Sequence, residues 1–449
     1  MSDRPVVLFP GLGAYSAGVL RQTRHSHEEV DRTFEEIDRT AALSGVPSVS
    51  AALFDGDPRP VRELLAEPAE VLQLAIFGVS LAVYRILTAQ GMRPRLLVGH
   101  SFGEMAALVA AGAFTLADGV RLVCARTAAL APWEGRGGMA AIGTDEATAG
   151  HLVGVLGESD LVIGCLNAPR QTVVAGPLED LDRAERVAAA LDLLFARLHL
   201  PYASHHPSMR PAMADFVART ADIRRQPLRQ AVYSPIHRRR YTDDDDLRQA
   251  LAECLVRPVR FTETVRSLHA MGCTTFIESG ALNALTKCVE QTVPAVRTFA
   301  PLTDPTQEET GLRAATLSAS DGRSHPPGSE PRTSGDVVRP GGHAEAVPEA
   351  QVVGVAMPPA RAGSAPDRSR VVAQLQQLYA QALEYPPELL TEDALLEAEL
   401  GVDSLKQTAL LAKVVGRFGL RVQAGDLRVW ELPTLGRIAD YVTATESTG

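Results

Sequence analysis

Aromatic residues are scarce in this 449-residue sequence, at 5%, and its five cysteines, Cys124, Cys165, Cys254, Cys273 and Cys288, include no Cys-x-x-Cys pair. An odd number of widely spaced cysteines argues against a disulfide framework and a cysteine zinc site, and suits a reducing compartment. No metal site is expected. Excess positive charge is also missing. The formal net charge is −10, and the one dense basic run, Arg238 to Arg240, is followed at once by Asp243 to Asp246. Nucleic-acid binding needs a basic stripe, so no nucleic-acid partner is expected. The N-terminus lacks a long apolar core before a cleavage site, and Val6 to Phe9 reads as a first strand instead. The apolar stretch Leu74 to Leu87 is interrupted by Ser80 and Arg85. Its uninterrupted part is too short to span a bilayer, so it reads as a core helix. The expectation is a cytoplasmic protein with no membrane partner.

What is present is globular: 45% apolar and 22% charged residues, in a chain long enough for two or three units. Up to about residue 301 strand-like and helix-like segments alternate. Val6–Phe9, Leu96–Val98, Leu161–Leu166, Thr172–Ala175 and Thr275–Glu278 read as strands. Val71–Leu87, Met105–Ala111, Leu116–Leu130 and Leu178–Leu191 read as helices. The pattern is α/β. Residues 302–369 are dominated by Pro, Gly, Ser and charge, and no aromatic residue occurs between Phe299 and Tyr379. Such a stretch buries too little surface to offset chain entropy, so a disordered linker is expected. Helical spacing returns in Val371–Leu383, Leu405–Phe418 and Leu435–Val442, which suggests a small bundle over 370–445.

The sharpest local signal is Gly99-His100-Ser101-Phe102-Gly103-Glu104, set between an apolar run and a helical one. Strand, Gly-x-Ser-x-Gly, helix is the arrangement of a nucleophile elbow. Glycines allow the sharp turn, Ser101 stands at its tip, and the helix N-terminus aims amides where an oxyanion would form. A merely tight strand–helix turn is the bland alternative. The second signal is Leu400-Gly401-Val402-Asp403-Ser404-Leu405-Lys406, at the start of an expected helix. It resembles the attachment sequence of acyl carrier proteins, in which the serine hydroxyl carries phosphopantetheine. An ordinary Asp/Ser helix cap is the alternative. The two signals reinforce each other, because an acyl-transfer nucleophile and an acyl carrier belong to one chemistry.

Several blocks in order resemble the malonyl-CoA:acyl-carrier-protein acyltransferases of fatty acid and polyketide synthases. They are Val7-Leu8-Phe9-Pro10-Gly11-Leu12-Gly13, the elbow, Cys124-Ala125-Arg126-Thr127, Gly138-Met139-Ala140-Ala141-Ile142, Asn167 to Gly176, Tyr202-Ala203-Ser204-His205, Arg257-Pro258-Val259-Arg260-Phe261 and Ile277-Glu278-Ser279-Gly280. The resemblance covers residues 5 to about 295, and residues 370–445 separately resemble a carrier domain. It implies an α/β-hydrolase-like acyltransferase over 1–301, with a ferredoxin-like subdomain inserted at about 136–199. A linker and a four-helix carrier bundle follow.

The implied chemistry is ping-pong acyl transfer. Ser101 attacks an acyl-CoA thioester and His205 is its general base. The backbone amides of Leu12 and Phe102 stabilise the oxyanion, and Arg126 grips the free carboxylate of a dicarboxylic acyl group. His100, Asn167 and Tyr202 line the substrate side, and 4′-phosphopantetheine sits on Ser404. Implied partners are acyl-CoA, a phosphopantetheinyl transferase, and the carrier proteins and ketosynthase of a separate assembly line. Composition does not separate His205 from its neighbour His206; the block alignment selects His205. On its own, Arg126 also reads as a salt-bridge partner on a helix surface. No aspartate is assignable to a triad, and the resemblance suggests a backbone carbonyl near Ser279 as the group that orients the histidine.

Three positions depart from the family pattern. Leu12 stands where glutamine is usual, Ala281 replaces a proline after Gly280 and suggests a looser loop, and Phe102 fills the variable position after the nucleophile, where its ring is expected to narrow the acyl pocket. Tyr202-Ala203-Ser204-His205 resembles methylmalonyl-selecting members while Phe102 does not, so the extender unit stays open. The expected protein is a discrete acyltransferase fused to its own carrier. The alternatives are an editing thioester hydrolase, a transferase moving an unusual acyl group between carriers, and a non-catalytic scaffold.

Overall fold

A computed structural model describes residues 4–198, 200–320, 368–383, 390–392, 396, 404–418, 432 and 434–446. Eleven strands lie among them: β1 Val6–Phe9, β2 Leu96–Gly99, β3 Gly138–Ile142, β4 Val162–Ala168, β5 Gln171–Gly176, β6 Phe195–Arg197, β7 Val232–Ser234, β8 Arg239–Arg240, β9 Val259–Arg260, β10 Thr275–Glu278 and β11 Arg297–Phe299. They form two sheets. The larger runs β11-β10-β1-β2-β7-β8. Its first five strands are parallel and β8 returns antiparallel on β7. β1, β2 and β10 are buried along their whole length, as strands covered on both faces must be.

The helix Ala69–Ala89 lies against this sheet's core. By length and composition it would pass for a membrane span, but most of it is buried inside the protein, so it is a core helix. The glutamine inside it, Gln73, is also buried.

The smaller sheet runs β6-β3-β5-β4-β9. Chain order from β3 to β6 is strand, helix Glu146–Val155, strand, strand, helix Leu178–Ala190, strand. With antiparallel pairing β3–β5, β3–β6 and β4–β5, this is the ferredoxin-like split βαβ. β9, which comes much later in the chain, joins its edge parallel to β4. The fold is therefore mixed α/β, with a ferredoxin-like unit inserted in a larger parallel-sheet body.

The stretch that reads as a linker begins with ordered structure. Glu308–Ser320 is a helix whose Leu312 and Ala315 are fully buried in the main core. The Glu308 carboxyl accepts hydrogen bonds from Leu20 N at 2.8 Å and Thr23 Oγ1 at 2.6 Å. Apolar residues three apart give a helix a face to bury without any aromatic side chain. Residues 321–367 lie outside the described residues. The loop at Ala281, which reads as loose, is held: Ala281 is buried and bridges Leu302, and Leu282 N donates to Leu302 O.

Toward the C-terminus, the helix Arg368–Leu383 buries Val371, Leu375 and Tyr379, and the helix Leu435–Glu446 buries Leu435, Ile438, Ala439 and Val442. Arg368 pairs with Glu392 and with Asp440, which ties these two helices together. A third helix, Ser404–Phe418, begins at Ser404 and buries Leu410, Leu411 and Val414. A fourth helix of the expected bundle would fall outside the described residues.

Candidate active site

β2 delivers the chain to Ser101, and the helix Gly103–Ala110 leads it away. The turn is tight enough to demand both flanking glycines. A Cβ on Gly99 would stand 2.2 Å from Glu104 Cα, and one on Gly103 would stand 2.1 Å from Phe9 O. Ser101 itself takes φ +54°, a left-handed conformation that non-glycine residues rarely adopt. Strain of this kind persists only where its surroundings enforce it, and it collects at reactive sites.

His205 faces Ser101, with Nε2 at 2.8 Å from Ser101 Oγ. It too has a left-handed backbone, φ +63°, and is buried. Its Nδ1 lies 3.0 Å from the carbonyl oxygen of Arg257. A carbonyl only accepts, so Nδ1 carries the proton, and in a neutral ring Nε2 is left to accept from the serine hydroxyl. The ring is neutral: burial, with smaller contributions from His100 and the Arg126 charge, pushes its pKa down to about 3. The orienting carbonyl is thus that of Arg257, not one near Ser279. Ser279 Oγ instead donates to Ser80 O in the core.

His206 is built for another task. It caps the turn Pro207–Met209, accepting from Ser208 N at Nδ1, and its Nε2 reaches Asp160 O at 2.7 Å. Both ring nitrogens are occupied away from Ser101.

The N–H groups of Leu12 and Phe102 have no hydrogen-bond acceptor among the described residues. Phe102 is buried and Leu12 half-buried, and the buried N–H next to the strained serine lacks the acceptor that an anionic oxygen would supply.

His100 sits next to Ser101 in sequence but turns its Nε2 to Asn167 Oδ1 at 2.8 Å, and its ring lies edge-on to Phe261. Desolvation lowers its pKa, so it too is neutral. His100 and Asn167 therefore form one hydrogen-bonded pair beside the elbow.

Arg126 lies in the helix Leu116–Leu130 and is only 5% exposed. Its guanidinium donates to Gln73 Oε1 at 3.2 Å and lies 5.4 Å from the Phe102 ring and 6.0 Å from the Tyr202 ring. No carboxylate among the described residues lies within 4 Å of it. The surface salt-bridge reading of Arg126 is therefore corrected, since the side chain is buried and lacks an acidic partner. A buried guanidinium with most of its five donors unused is costly to keep. An anion placed against those donors would offset that cost. Sequence reasoning missed Gln73, whose only signal is a polar side chain in a largely apolar helix. It also missed Ser204, whose hydroxyl is buried beside His205 without a hydrogen-bond partner among the described residues.

Ser101, His205, Arg126, Phe102, Tyr202 and the His100–Asn167 pair are linked by these contacts, and the free N–H of Leu12 comes from the loop after β1, the strand paired with β2. Ser404 opens its own helix at the C-terminal end of the chain.

Comparison with known proteins gives two family matches: "Acyl transferase domain" over residues 8–328 and "Phosphopantetheine attachment site" over residues 373–442. The chain is 32% identical over 298 residues to a phenolphthiocerol/phthiocerol polyketide synthase protein of Mycobacterium tuberculosis, covering 64% of this chain and 15% of that protein. The chain thus spans less than a fifth of the length of that relative. Among solved structures, it is similar to the malonyl-CoA:acyl carrier protein transacylase of Xanthomonas oryzae pv. oryzae, at 30% identity and TM-score 0.63, covering 70% of this chain and 99% of that one. It is also similar to a malonyl-transacylase solved in complex with its type II polyketide synthase acyl-carrier protein, at 26% identity and TM-score 0.63, covering 69% of this chain and 99% of that one.

Proposed function

The chain belongs to the acyl transferase domain family and carries a phosphopantetheine attachment segment behind that domain, and from this premise we propose that it transfers a dicarboxylic acyl group, malonyl or methylmalonyl, from CoA through Ser101 to a carrier thiol in polyketide-type biosynthesis. The observation that carries the dicarboxylic part is the buried Arg126 without an acidic partner. A free carboxylate on the acyl group supplies the missing anion and fits the guanidinium fork. The rings of Phe102 and Tyr202 flank this guanidinium.

In the first half-reaction Ser101 Oγ attacks the thioester carbonyl while its proton passes to His205 Nε2. The Arg257 carbonyl keeps Nδ1 protonated and so steadies the imidazolium that forms. The N–H groups of Leu12 and Phe102 hold the oxyanion. When the C–S bond breaks, His205 returns the proton to the departing CoA sulfur, leaving an ester on Ser101. Burial alone leaves His205 a weak base, and the Arg126 charge weakens it further. A substrate carboxylate on Arg126 cancels that second effect, so the correct acyl group also raises the basicity of His205.

Bound to Ser404, phosphopantetheine supplies a thiol on a long arm. Ser404 fits as its attachment point because it stands at the first position of the helix Ser404–Phe418. In the second half-reaction His205 Nε2 takes the proton of an acceptor thiol as its sulfur attacks the ester carbonyl; the C–O bond to Ser101 breaks, a thioester forms, and His205 returns the proton to Ser101 Oγ. Partners on this reading are acyl-CoA, a phosphopantetheinyl transferase, other carrier proteins and a ketosynthase, in the cytoplasm.

The test is partition of labelled malonyl-, methylmalonyl- and acetyl-CoA between acyl-carrier and free acid on the phosphopantetheinylated chain. Acyl-carrier formed mainly from the dicarboxylic substrates supports the reading. Free acid as the main product identifies an editing hydrolase instead.

A further inference from the structure

Directly behind the elbow lies a carboxyl group that the mechanism does not use. Glu104 is the second residue of the helix Gly103–Ala110, and its side chain is fully buried. Its backbone builds the turn: Glu104 N donates to Ser101 O, and Glu104 Cα packs against Gly99. Its side chain leaves the elbow and reaches the strand hairpin beyond. Oε1 accepts from Tyr241 OH at 2.9 Å, with the Ser234 hydroxyl of β7 close by. Oε2 has no hydrogen-bond partner among the described residues.

We propose that Glu104 is a positioning residue, and that it ties the strained elbow to Tyr241 and Ser234 as an uncharged carboxylic acid. This rests on Ser101 being the nucleophile. Among the described residues, three groups face the carboxyl: Tyr241 just after β8, Ser234 on β7, and the Cys254 thiol at the end of the helix Leu247–Glu253. None is a cation. The buried cation of the site, Arg126, is bonded to Gln73 and flanked by rings. A carboxylate here would be a buried charge with one neutral donor and nothing on its second oxygen, a state proteins avoid by protonation. Burial accordingly raises the Glu104 pKa to about 7, against the opposing hydrogen bonds from Ser234 and Tyr241. The Cys254 thiol, which lies by both Glu104 and Ser101, is pushed up to about 12 by burial first and by Glu104 second, so it stays neutral.

Deprotonation of Glu104 leaves an unpaired negative charge buried against the helix that carries the elbow, where it opposes the negative charge that develops at Ser101 during acyl transfer. Activity should therefore fall as pH rises through 7, for a reason separate from His205, which titrates far below.

The experiment measures the rate of Ser101 acylation by malonyl-CoA on the full chain, by rapid quench, from pH 6 to 8.5. Expected for wild type is a loss of about tenfold per pH unit above 7. Glu104→Gln, a neutral isostere, should remove this limb. Tyr241→Phe deletes a donor that favours the carboxylate, so the limb should move to higher pH. An unchanged limb in Glu104→Gln, or an unshifted one in Tyr241→Phe, overturns the proposal. So does a Glu104→Gln protein that folds and is slow at every pH. Should Glu104→Gln not fold, the Tyr241→Phe shift decides. Label that persists in Ser101→Ala would instead sink the nucleophile assignment, so the two failures are distinct.

Discussion

Replacing Arg126 with alanine should erase the chain's preference for dicarboxylic over monocarboxylic acyl groups. The magnitude follows from what Arg126 does in the structure. It is buried, makes one hydrogen bond to Gln73, and meets no carboxylate among the described residues. A malonyl carboxylate in the pocket would gain a charge-assisted contact worth about 1.5–3 kcal/mol, which is about 10- to 150-fold in selectivity. Acetyl- and propionyl-CoA have no group to gain it. Arg126→Ala should therefore cut kcat/KM for malonyl-CoA by about that factor and leave acetyl-CoA unchanged or improved. Arg126→Lys keeps the charge but loses the fork, and should fall between the two. The assay is competition between labelled malonyl- and acetyl-CoA for acylation of the full chain, with melting curves to show that each variant folds. Wild type that already prefers acetyl-CoA would refute the reasoning, as would an Arg126→Ala variant that loses both substrates equally.

Three further outcomes are expected. Co-expression with a phosphopantetheinyl transferase should add the prosthetic mass to wild type and not to Ser404→Ala; an unmodified wild type beside an active transferase contradicts this. The initial rate at which Ser404 is loaded, per molecule and at saturating acyl-CoA, should not change on dilution, because both sites share one chain; a rate proportional to concentration would mean transfer between molecules. The pKa of His205 is about 3 in the folded chain against an ordinary 6.5. Between these values the unfolded chain binds the extra proton, so stability falls as pH drops below 6.5. From pH 6.5 to 4.5 wild type should lose about 2–3 kcal/mol more than His205→Gln in urea unfolding, whereas equal losses would mean that His205 is not held neutral.

The elbow is legible in the sequence because its chemistry is written in side chains and in glycines at fixed offsets. β1 and β10 have the bounds that their apolar runs suggest, and the helix Leu116–Leu130 does too. The order of strands in the two sheets is not local information, and neither is the joining of β9 to a sheet formed much earlier in the chain. His205 and His206 look alike in sequence. They separate only through backbone geometry, one at φ +63° facing Ser101 and the other capping a turn. The orienting group escapes the sequence for a related reason. It is a main-chain carbonyl, and every residue has one, so only the approach of Arg257 to His205 identifies it. Composition places Glu308 and its helix in a linker, although Leu312 and Ala315 already hold the apolar spacing of a packed face. Glu104 can be placed on the elbow helix from sequence, but its burial against Tyr241, far along the chain, cannot.

The central claim is an ester on Ser101. Intact mass of the chain without its prosthetic group, after brief incubation with malonyl-CoA, tests it most directly. The account predicts one added acyl group on wild type, located to the peptide bearing Ser101, and none on Ser101→Ala. An acyl group of equal yield on Ser101→Ala would contradict it.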